Sequence, residues 1–207
     1  MFFLFLCYRR STTVFQSTID REDLKRLPLK AFEGEIHLID SAAGVKKYLP
    51  VLLKEHVLGF DTETRPAFKK GRKNRLSLLQ FSTQFHAFLI RVSATGIPDG
   101  LLRLLEDENI RKIGAAVHDD LIYLKEIRRF RPEGFLDIQK YVEAFGIENK
   151  SVAKLAGIVL GFRISKSQQL SNWDADVLTK AQMMYAATDA WVCYRIYREL
   201  QNYKPNE

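Results

Sequence analysis

Residues 57 to 64 read "VLGFDTET", a short apolar run that ends in two acidic residues. A continuous apolar run of this length is typical of a buried strand. Because side chains alternate between the faces of a strand, Asp61 and Glu63 should point to one face and Thr62 to the other. Two carboxylates ~4 Å apart repel by about 1 kcal/mol in water and by about 4 kcal/mol at an effective dielectric constant near 20. We therefore expect a compensating cation here, either Lys or Arg or a hard divalent ion.

The remaining segments predict a mixed α/β domain. Strands are expected at "EIHLID", "LSLLQFST" and "HAFLIRV", and a further strand, "KIGAAV", lies among helices. Helices are predicted at "SAAGVKKYLPVLLKEH", "GLLRLLEDEN", "HDDLIYLKEIRR", "DIQKYVEAFG", "SVAKLAGIVLG" and "TKAQMMYAATDAWVCYRIYREL", with Ser41 and Thr179 as N-caps of the first and last. This order favours one domain at 35–202, with an N-terminal extension at 1–34 and a tail at 203–207.

Composition limits the location and the partners of the chain. Its 207 residues can bury one core, and its net charge of +7 is compatible with a polyanionic partner. Two cysteines, Cys7 and Cys193, are too few for a disulfide framework or a zinc cluster, which favours an intracellular location, cytoplasmic or, in a eukaryote, nuclear. No run approaches the ~18 apolar residues of a membrane span. We therefore expect no membrane association, and the sequence identifies no protein partner.

Two further acidic residues stand where chemistry can be arranged. Asp120 follows "KIGAAVHD" at a predicted strand-to-helix junction, and Asp189 lies four residues after Tyr185 on one face of the last helix. Each has an ordinary explanation. An acid at a helix N-terminus complements the helix dipole, a role that Asp119 fills equally well, and Tyr185 and Asp189 can be a packing residue and a surface acid. Separately, each motif is a weak indicator of function.

As a set, the motifs resemble those of the DEDD superfamily of 3′–5′ exonucleases, which includes ribonuclease D, the proofreading domain of DNA polymerase I and the Werner-syndrome-type exonuclease. "FDTET", "IGAAVHDDLIYL" and "YAATDA" resemble its three motifs, in order, between about residues 35 and 200. Tyr185 and Asp189 fit the tyrosine branch (DEDDy), whereas the histidine branch would have His at Met184. "LDIQ" and "KSQQLSNWD" resemble further segments of the ribonuclease D and Werner-type group.

The resemblance implies a ribonuclease H-like fold, a central mixed β-sheet flanked by helices. It also implies hydrolysis of phosphodiesters from nucleic acid 3′ ends, with two divalent metal ions, Mg²⁺ or Mn²⁺, and release of nucleoside 5′-monophosphates. Asp61 would contact both ions, Glu63 and Asp189 would complete one site, and Asp120 would serve the other. Tyr185 would orient the attacking water. The metal ligands implied are thus Asp61, Glu63, Asp120 and Asp189, and the catalytic residues are these four with Tyr185.

The substrate is expected to meet basic residues near the acids. Five of them follow the acidic strand: Lys69, Lys70, Arg72, Lys73 and Arg75. These would contact backbone phosphates, as would Lys166, while Trp173 would either stack on a base or pack within the protein. DNA with a single-stranded or recessed 3′ end is the favoured substrate. The alternatives are a ribonuclease D-like exoribonuclease and a catalytically silent binding module, against which the complete set of four acids argues.

Overall fold

Six strands form one mixed sheet within residues 15–65 and 75–206, the part of the chain that the computed structural model describes. The spatial order is β1-β4-β3-β2-β5-β6, in which β3 runs antiparallel to β2 and β4 and the other neighbours are parallel. The strands are β1 (Glu35–Ile39), β2 (Val57–Arg65), β3 (Arg75–Ser82), β4 (His86–Ile90), β5 (Arg111–Gly114) and β6 (Phe135–Asp137). The expected mixed sheet flanked by helices is confirmed, and its fold is ribonuclease H-like.

Helices cover both faces of the sheet. They are α1 (Arg21–Arg26), α2 (Ala42–Leu52), α3 (Val92–Thr95), α4 (Asp99–Glu106), α5 (Val117–Ile127), α6 (Ile138–Tyr141), α7 (Val152–Leu155) and α8 (Lys180–Leu200). A 3₁₀ turn at Val142–Phe145 continues α6, and a π-helical turn at Ala156–Leu160 continues α7. None of the helices among the described residues is both long and apolar enough to cross a membrane.

Two hydrophobic clusters divide the core between the faces of the sheet. One contains α8 with Leu78 and Ile113, and the other contains α4 with Leu58 and Phe60 of β2. Since Leu58 and Phe60 face away from α8, alternation turns Asp61 and Glu63 towards α8 and Thr62 towards the opposite side. The core thus decides which helix each acid of β2 faces.

The segments flanking the predicted domain also pack against it. Phe32 is buried, and its backbone N–H donates to Thr188 Oγ1 of α8 at 3.0 Å. Phe15 and Tyr203 lie edge to face with ring centroids 4.8 Å apart, so the two ends of the described chain contact each other. The domain boundaries at residues 35 and 202 stay predictions, but both flanks contribute to the core.

Candidate active site

Three carboxylates converge where the acidic end of β2 faces α8. One side-chain oxygen from each of Asp61, Glu63 and Asp189 lies within 4.8 Å of the other two, which is close enough for one metal ion. Among the described residues, no Lys or Arg forms an ion pair with these three acids. Convergence of three carboxylates on one point is the arrangement that a hard divalent ion, with its several oxygen ligands, suits.

A glycine on β2 allows Asp189 to reach this position. A Cβ atom at Gly59 would lie 2.0 Å from the carbonyl oxygen of Ala190, so only glycine allows the backbone of α8 to approach β2 so closely. The start of α8 is fixed by a capping box between Thr179 and Gln182, as the sequence predicted for Thr179. Together these contacts set the position of α8 along β2, and hence of Asp189 beside Asp61.

The fourth acid reaches β2 from the other side of the sheet. Thr62 Oγ1 donates a hydrogen bond to Oδ1 of Asp120, which lies in the first turn of α5. Just before α5, Ala116 has a φ of 53°, a left-handed conformation that costs a residue with a Cβ atom about 1–2 kcal/mol. Asp119 is exposed to solvent. The structure therefore brings Asp120, rather than Asp119, next to the acidic strand.

Tyr185 lies one helical turn before Asp189 and is buried. Its hydroxyl donates a hydrogen bond to the Asp189 carboxylate. Burial, with the nearby charge of Asp189, raises the pKa of Tyr185 far above its usual range. The phenol therefore keeps its proton near neutral pH, which makes it a poor general base.

Burial is the main cause that raises the pKa of each acid in the site. It raises the pKa of Glu63 to about 9 and that of Asp120 to about 7. The pKa of Asp189 rises to about 6, against the lowering effects of the Tyr185 hydrogen bond and the charge of Lys166. The pKa of Asp61 also rises well above its usual range, through burial and repulsion by Asp189. Protons or cations must neutralise such a cluster, and its oxygen-only ligands suit Mg²⁺ or Mn²⁺ better than Zn²⁺.

The raised pKa values predict an unusual pH dependence of stability. A carboxyl group whose folded pKa is raised stabilises the fold at low pH, and this stabilisation is lost as pH rises through the folded pKa. With EDTA present, we expect the Tm to fall as pH rises from about 4, the unfolded pKa of a carboxyl group, to about 9, the folded pKa of Glu63. Added Mg²⁺ should raise the Tm more at pH 8 than at pH 5, because fewer protons then compete with it. Thermal melts at constant ionic strength measure both effects.

Glu63→Gln provides the matched comparison, since it keeps the side-chain size and removes one of the ionising groups. The Tm of this variant in EDTA should vary less with pH than that of the unmodified protein. Equal pH dependence in both proteins would contradict the assigned electrostatics of the cluster.

One buried polar residue next to the acids was missed from the sequence. Gln80 of β3 pairs directly with Asp61 in the β2–β3 ladder, so both side chains lie on the α8 side of the sheet. Gln80 is fully buried, and neither atom of its side-chain amide has a hydrogen-bond partner within residues 15–65 and 75–206. A polar residue inside the apolar run "LSLLQFS" is the signal that would have drawn attention to it.

The expected nucleic-acid contacts are partly located. Arg75 begins β3 and is exposed, and Lys166 is exposed and close enough to lower the pKa of Asp189. The other four bases of the expected phosphate contact, Lys69, Lys70, Arg72 and Lys73, lie outside the described residues.

Trp173, expected either to stack on a base or to pack within the protein, is buried in this structure. Its side chain is only 1% exposed and packs against Tyr185, with ring centroids 5.9 Å apart. Burying a ring of this size next to α8 stabilises the fold more than leaving it exposed to solvent would. The packing role that the sequence left open is therefore the observed one.

Comparison with known proteins finds similarity over most of the chain. A family described as 3′–5′ exonuclease matches residues 36–203. The mouse bifunctional 3′–5′ exonuclease/ATP-dependent helicase WRN is 32% identical over 158 residues, which cover 70% of this chain but only 11% of that protein. The Aedes aegypti Nibbler EXO domain has a TM-score of 0.73 at 25% identity, covering 84% of this chain and 93% of its own. The Trypanosoma brucei RNase D complex with RNA U12 also has a TM-score of 0.73, at 22% identity, over 84% of this chain and 65% of its own.

Proposed function

Since this chain belongs to the family of 3′–5′ exonucleases, we propose that it removes nucleoside 5′-monophosphates one at a time from the 3′ ends of nucleic acid. The observation that supports this most strongly is the convergence of Asp61, Glu63 and Asp189 within 4.8 Å. Asp120, hydrogen-bonded to Thr62 of the same strand, supplies the fourth acid. A protein that only bound nucleic acid would gain nothing from carboxylates that repel phosphates.

The acids would hold two divalent ions, Mg²⁺ or Mn²⁺, with Asp61 shared between them. Asp61, Glu63 and Asp189 would hold one ion, and Asp61 with Asp120 the other. Bound there, two ions would lower the pKa of the attacking water and neutralise the charge that develops on the leaving oxygen. The half-buried position of the acids limits their contact with solvent and strengthens these electrostatic effects.

Tyr185 would direct the attacking water. Its hydroxyl is held by Asp189, and its raised pKa keeps the proton on the phenol. It would therefore accept or donate hydrogen bonds without taking the proton of the water. Trp173 and the surrounding core fix the ring.

Tyr185→Phe tests this positioning role. We expect kcat to fall by about 10²-fold, the cost of a reacting group held out of place. The Kd for Mn²⁺ should change little, because the phenol is not proposed as a ligand. Tyr194→Phe on the same helix is the control and should keep full activity. Unchanged kcat in Tyr185→Phe, or a loss of metal affinity equal to the loss in kcat, would contradict the role.

The direction and the products of cleavage test the proposed function itself. A 5′-labelled oligonucleotide should shorten as a ladder from its 3′ end, with release of nucleoside 5′-monophosphates, in Mg²⁺ but not in EDTA. A 3′-phosphate should block the reaction, because it adds negative charge where the terminal sugar meets the acids. Nucleoside 3′-monophosphates, or cuts in a circular substrate, would overturn the proposal. Binding without turnover in either metal would favour the silent binding module.

DNA is the proposed substrate, on the basis of the resemblance of the "SNW" and "YAATD" segments to the Werner-type group. The fold does not discriminate, since it is shared with a ribonuclease D solved in complex with RNA. Single-stranded DNA, recessed duplex DNA and RNA of one sequence should be digested in parallel and their kcat/KM values compared. A higher kcat/KM for RNA would replace the DNA proposal with the exoribonuclease alternative.

The basic residues after β2 are proposed to bind the phosphate backbone. For a variant without turnover, log K for single strands should fall with log of salt concentration by ~0.7 per phosphate contact. A triple variant in which Lys69, Lys70 and Lys73 are each changed to Gln should show a shallower slope. Replacing three exposed lysines elsewhere, Lys46, Lys54 and Lys204, is the matched control for net charge. Equal slopes in the two triple variants would place the phosphate contacts elsewhere.

A further inference from the structure

A second group of potential metal ligands lies at the β1 edge of the sheet. Glu35 of β1 pairs with His86 of β4 in the parallel ladder, and His37 lies two residues after Glu35. All three therefore project from the same face of the sheet. One ligand atom from each lies within 4.8 Å of the other two.

This group is separate from the acidic site. Ala87 and Ile36, which neighbour its residues in sequence, pack in the cluster with α8, so Glu35, His37 and His86 face the opposite side of the sheet. The acids of β2 lie two strands from β4 and three from β1, on the α8 face. The two groups therefore cannot share an ion.

The two histidine rings are already close to the spacing that a metal ion requires. Nε2 of His37 and Nδ1 of His86 are 3.2 Å apart. In a tetrahedral zinc site with Zn–N distances of about 2.0–2.1 Å, two ligand nitrogens lie about 3.3–3.4 Å apart. Glu35 Oε2 is 3.7 Å from His86 Nδ1, and the Glu35 side chain is 67% exposed, so a small rotation closes this gap.

We propose that Glu35, His37 and His86 form a binding site for a divalent transition metal ion, with Zn²⁺ as the best fit. Two imidazoles and one carboxylate are ligands that suit Zn²⁺ and not Mg²⁺. Three protein ligands leave one position of a tetrahedral ion open to solvent.

The surroundings of His37 hold its ring in place for binding. Its side chain is 10% exposed and lies between Tyr48, at a centroid distance of 4.5 Å, and Phe88, at 5.0 Å. Burial lowers the pKa of His37, which favours the neutral imidazole that a metal ion needs. The Glu35 carboxylate is 3.6 Å from Nδ1 of His37, which favours a proton on Nδ1. Nε2 then accepts the hydrogen bond from His86 Nδ1–H, which a bound metal ion would replace.

One neighbouring residue opposes a bound cation. Lys47 of α2 is exposed, and its charge acts on His37. The affinity should therefore be lower than that of a closed structural zinc site. Lys47 therefore offers a variant that should increase affinity. Lys47→Gln removes the repelling charge without changing any ligand, so it should bind the ion more tightly.

The test is a titration with Zn²⁺, and with Co²⁺ as a spectroscopic probe, in excess Mg²⁺ that occupies the acidic site. We expect one ion per chain and Co²⁺ visible bands of a site with nitrogen ligands. In His86→Gln the Kd should rise at least about tenfold, since loss of a residue that only orients a metal ligand already costs about 10–100-fold. Glu35→Gln should weaken binding less, and Lys47→Gln should lower the Kd. His56→Gln, which changes another exposed histidine, is the control.

The same titration on Asp61→Asn separates this site from the nuclease site. The number of Zn²⁺ ions bound per chain and the Co²⁺ spectrum should be the same in Asp61→Asn as in the unmodified protein, whether or not the protein degrades nucleic acid. The proposal is overturned if no ion binds in excess Mg²⁺, or if His86→Gln binds as tightly as the unmodified chain. His86 is 44% exposed, so its replacement leaves the core intact, and a thermal melt of His86→Gln verifies this.

Discussion

Asp61→Asn is expected to abolish nuclease turnover while stabilising the protein in the absence of metal. Asp61 is the acid proposed to hold both ions, so losing its charge removes part of each site. We expect kcat to fall by at least about 10³-fold, the upper range for loss of one electrostatic group that acts in a transition state. In EDTA the Tm should rise, because burial and repulsion by Asp189 already disfavour a charge on this side chain.

This combination distinguishes a functional acid from a structural one. If Asp61 were part of a stabilising network, its replacement would lower both activity and stability. Asp40→Asn is the matched control, since Asp40 is an aspartate directly after β1 that is exposed to solvent; it should change neither quantity. Turnover and thermal melts in EDTA and in Mg²⁺ should be measured on the same preparations. Substantial Mg²⁺-dependent turnover by Asp61→Asn would refute the assignment.

The positions of the acids followed from periodicity, because periodicity is a local property. Alternation along β2 places Asp61 and Glu63 on one face, and a spacing of four on α8 places Tyr185 beside Asp189. Their convergence is not local. It depends on the close approach of α8 at Gly59, where a Cβ atom would lie 2.0 Å from the Ala190 carbonyl oxygen. Only the resemblance to a known family supplied that information in advance.

The elements that the sequence missed are those stabilised by distant partners. β6, Phe135–Asp137, has three residues, too few to show alternation, and exists because it pairs in parallel with β5. α1 and α3 are single short turns of helix. The sequence places Gln80 in an apolar strand, and its significance depends on Asp61 lying opposite on β2. The burial of Trp173 likewise depends on the position of α8, which the polar sequence around it does not reveal.

Asp120→Ala is expected to lower nuclease turnover far more than Asp119→Ala. The two acids are adjacent in the first turn of α5, so both substitutions change the helix dipole interaction by a similar amount. Only Asp120 accepts a hydrogen bond from Thr62, on the strand that carries Asp61 and Glu63.

The structure thus predicts about a 10²–10³-fold loss in kcat for Asp120→Ala, the scale for one electrostatic group, and less than about a tenfold change for Asp119→Ala. The loss in kcat for Thr62→Val should lie between these two values, since this variant keeps the Asp120 carboxylate but removes the hydrogen bond that positions it. Steady-state rates should also be measured over a range of Mn²⁺ concentrations. Asp120→Ala should need a higher Mn²⁺ concentration to reach half of its maximal rate, and excess Mn²⁺ should partly restore its activity. If Asp119→Ala were the more damaging substitution, the motif would be shifted by one residue, and the contact between Thr62 and Asp120 would have only a structural role.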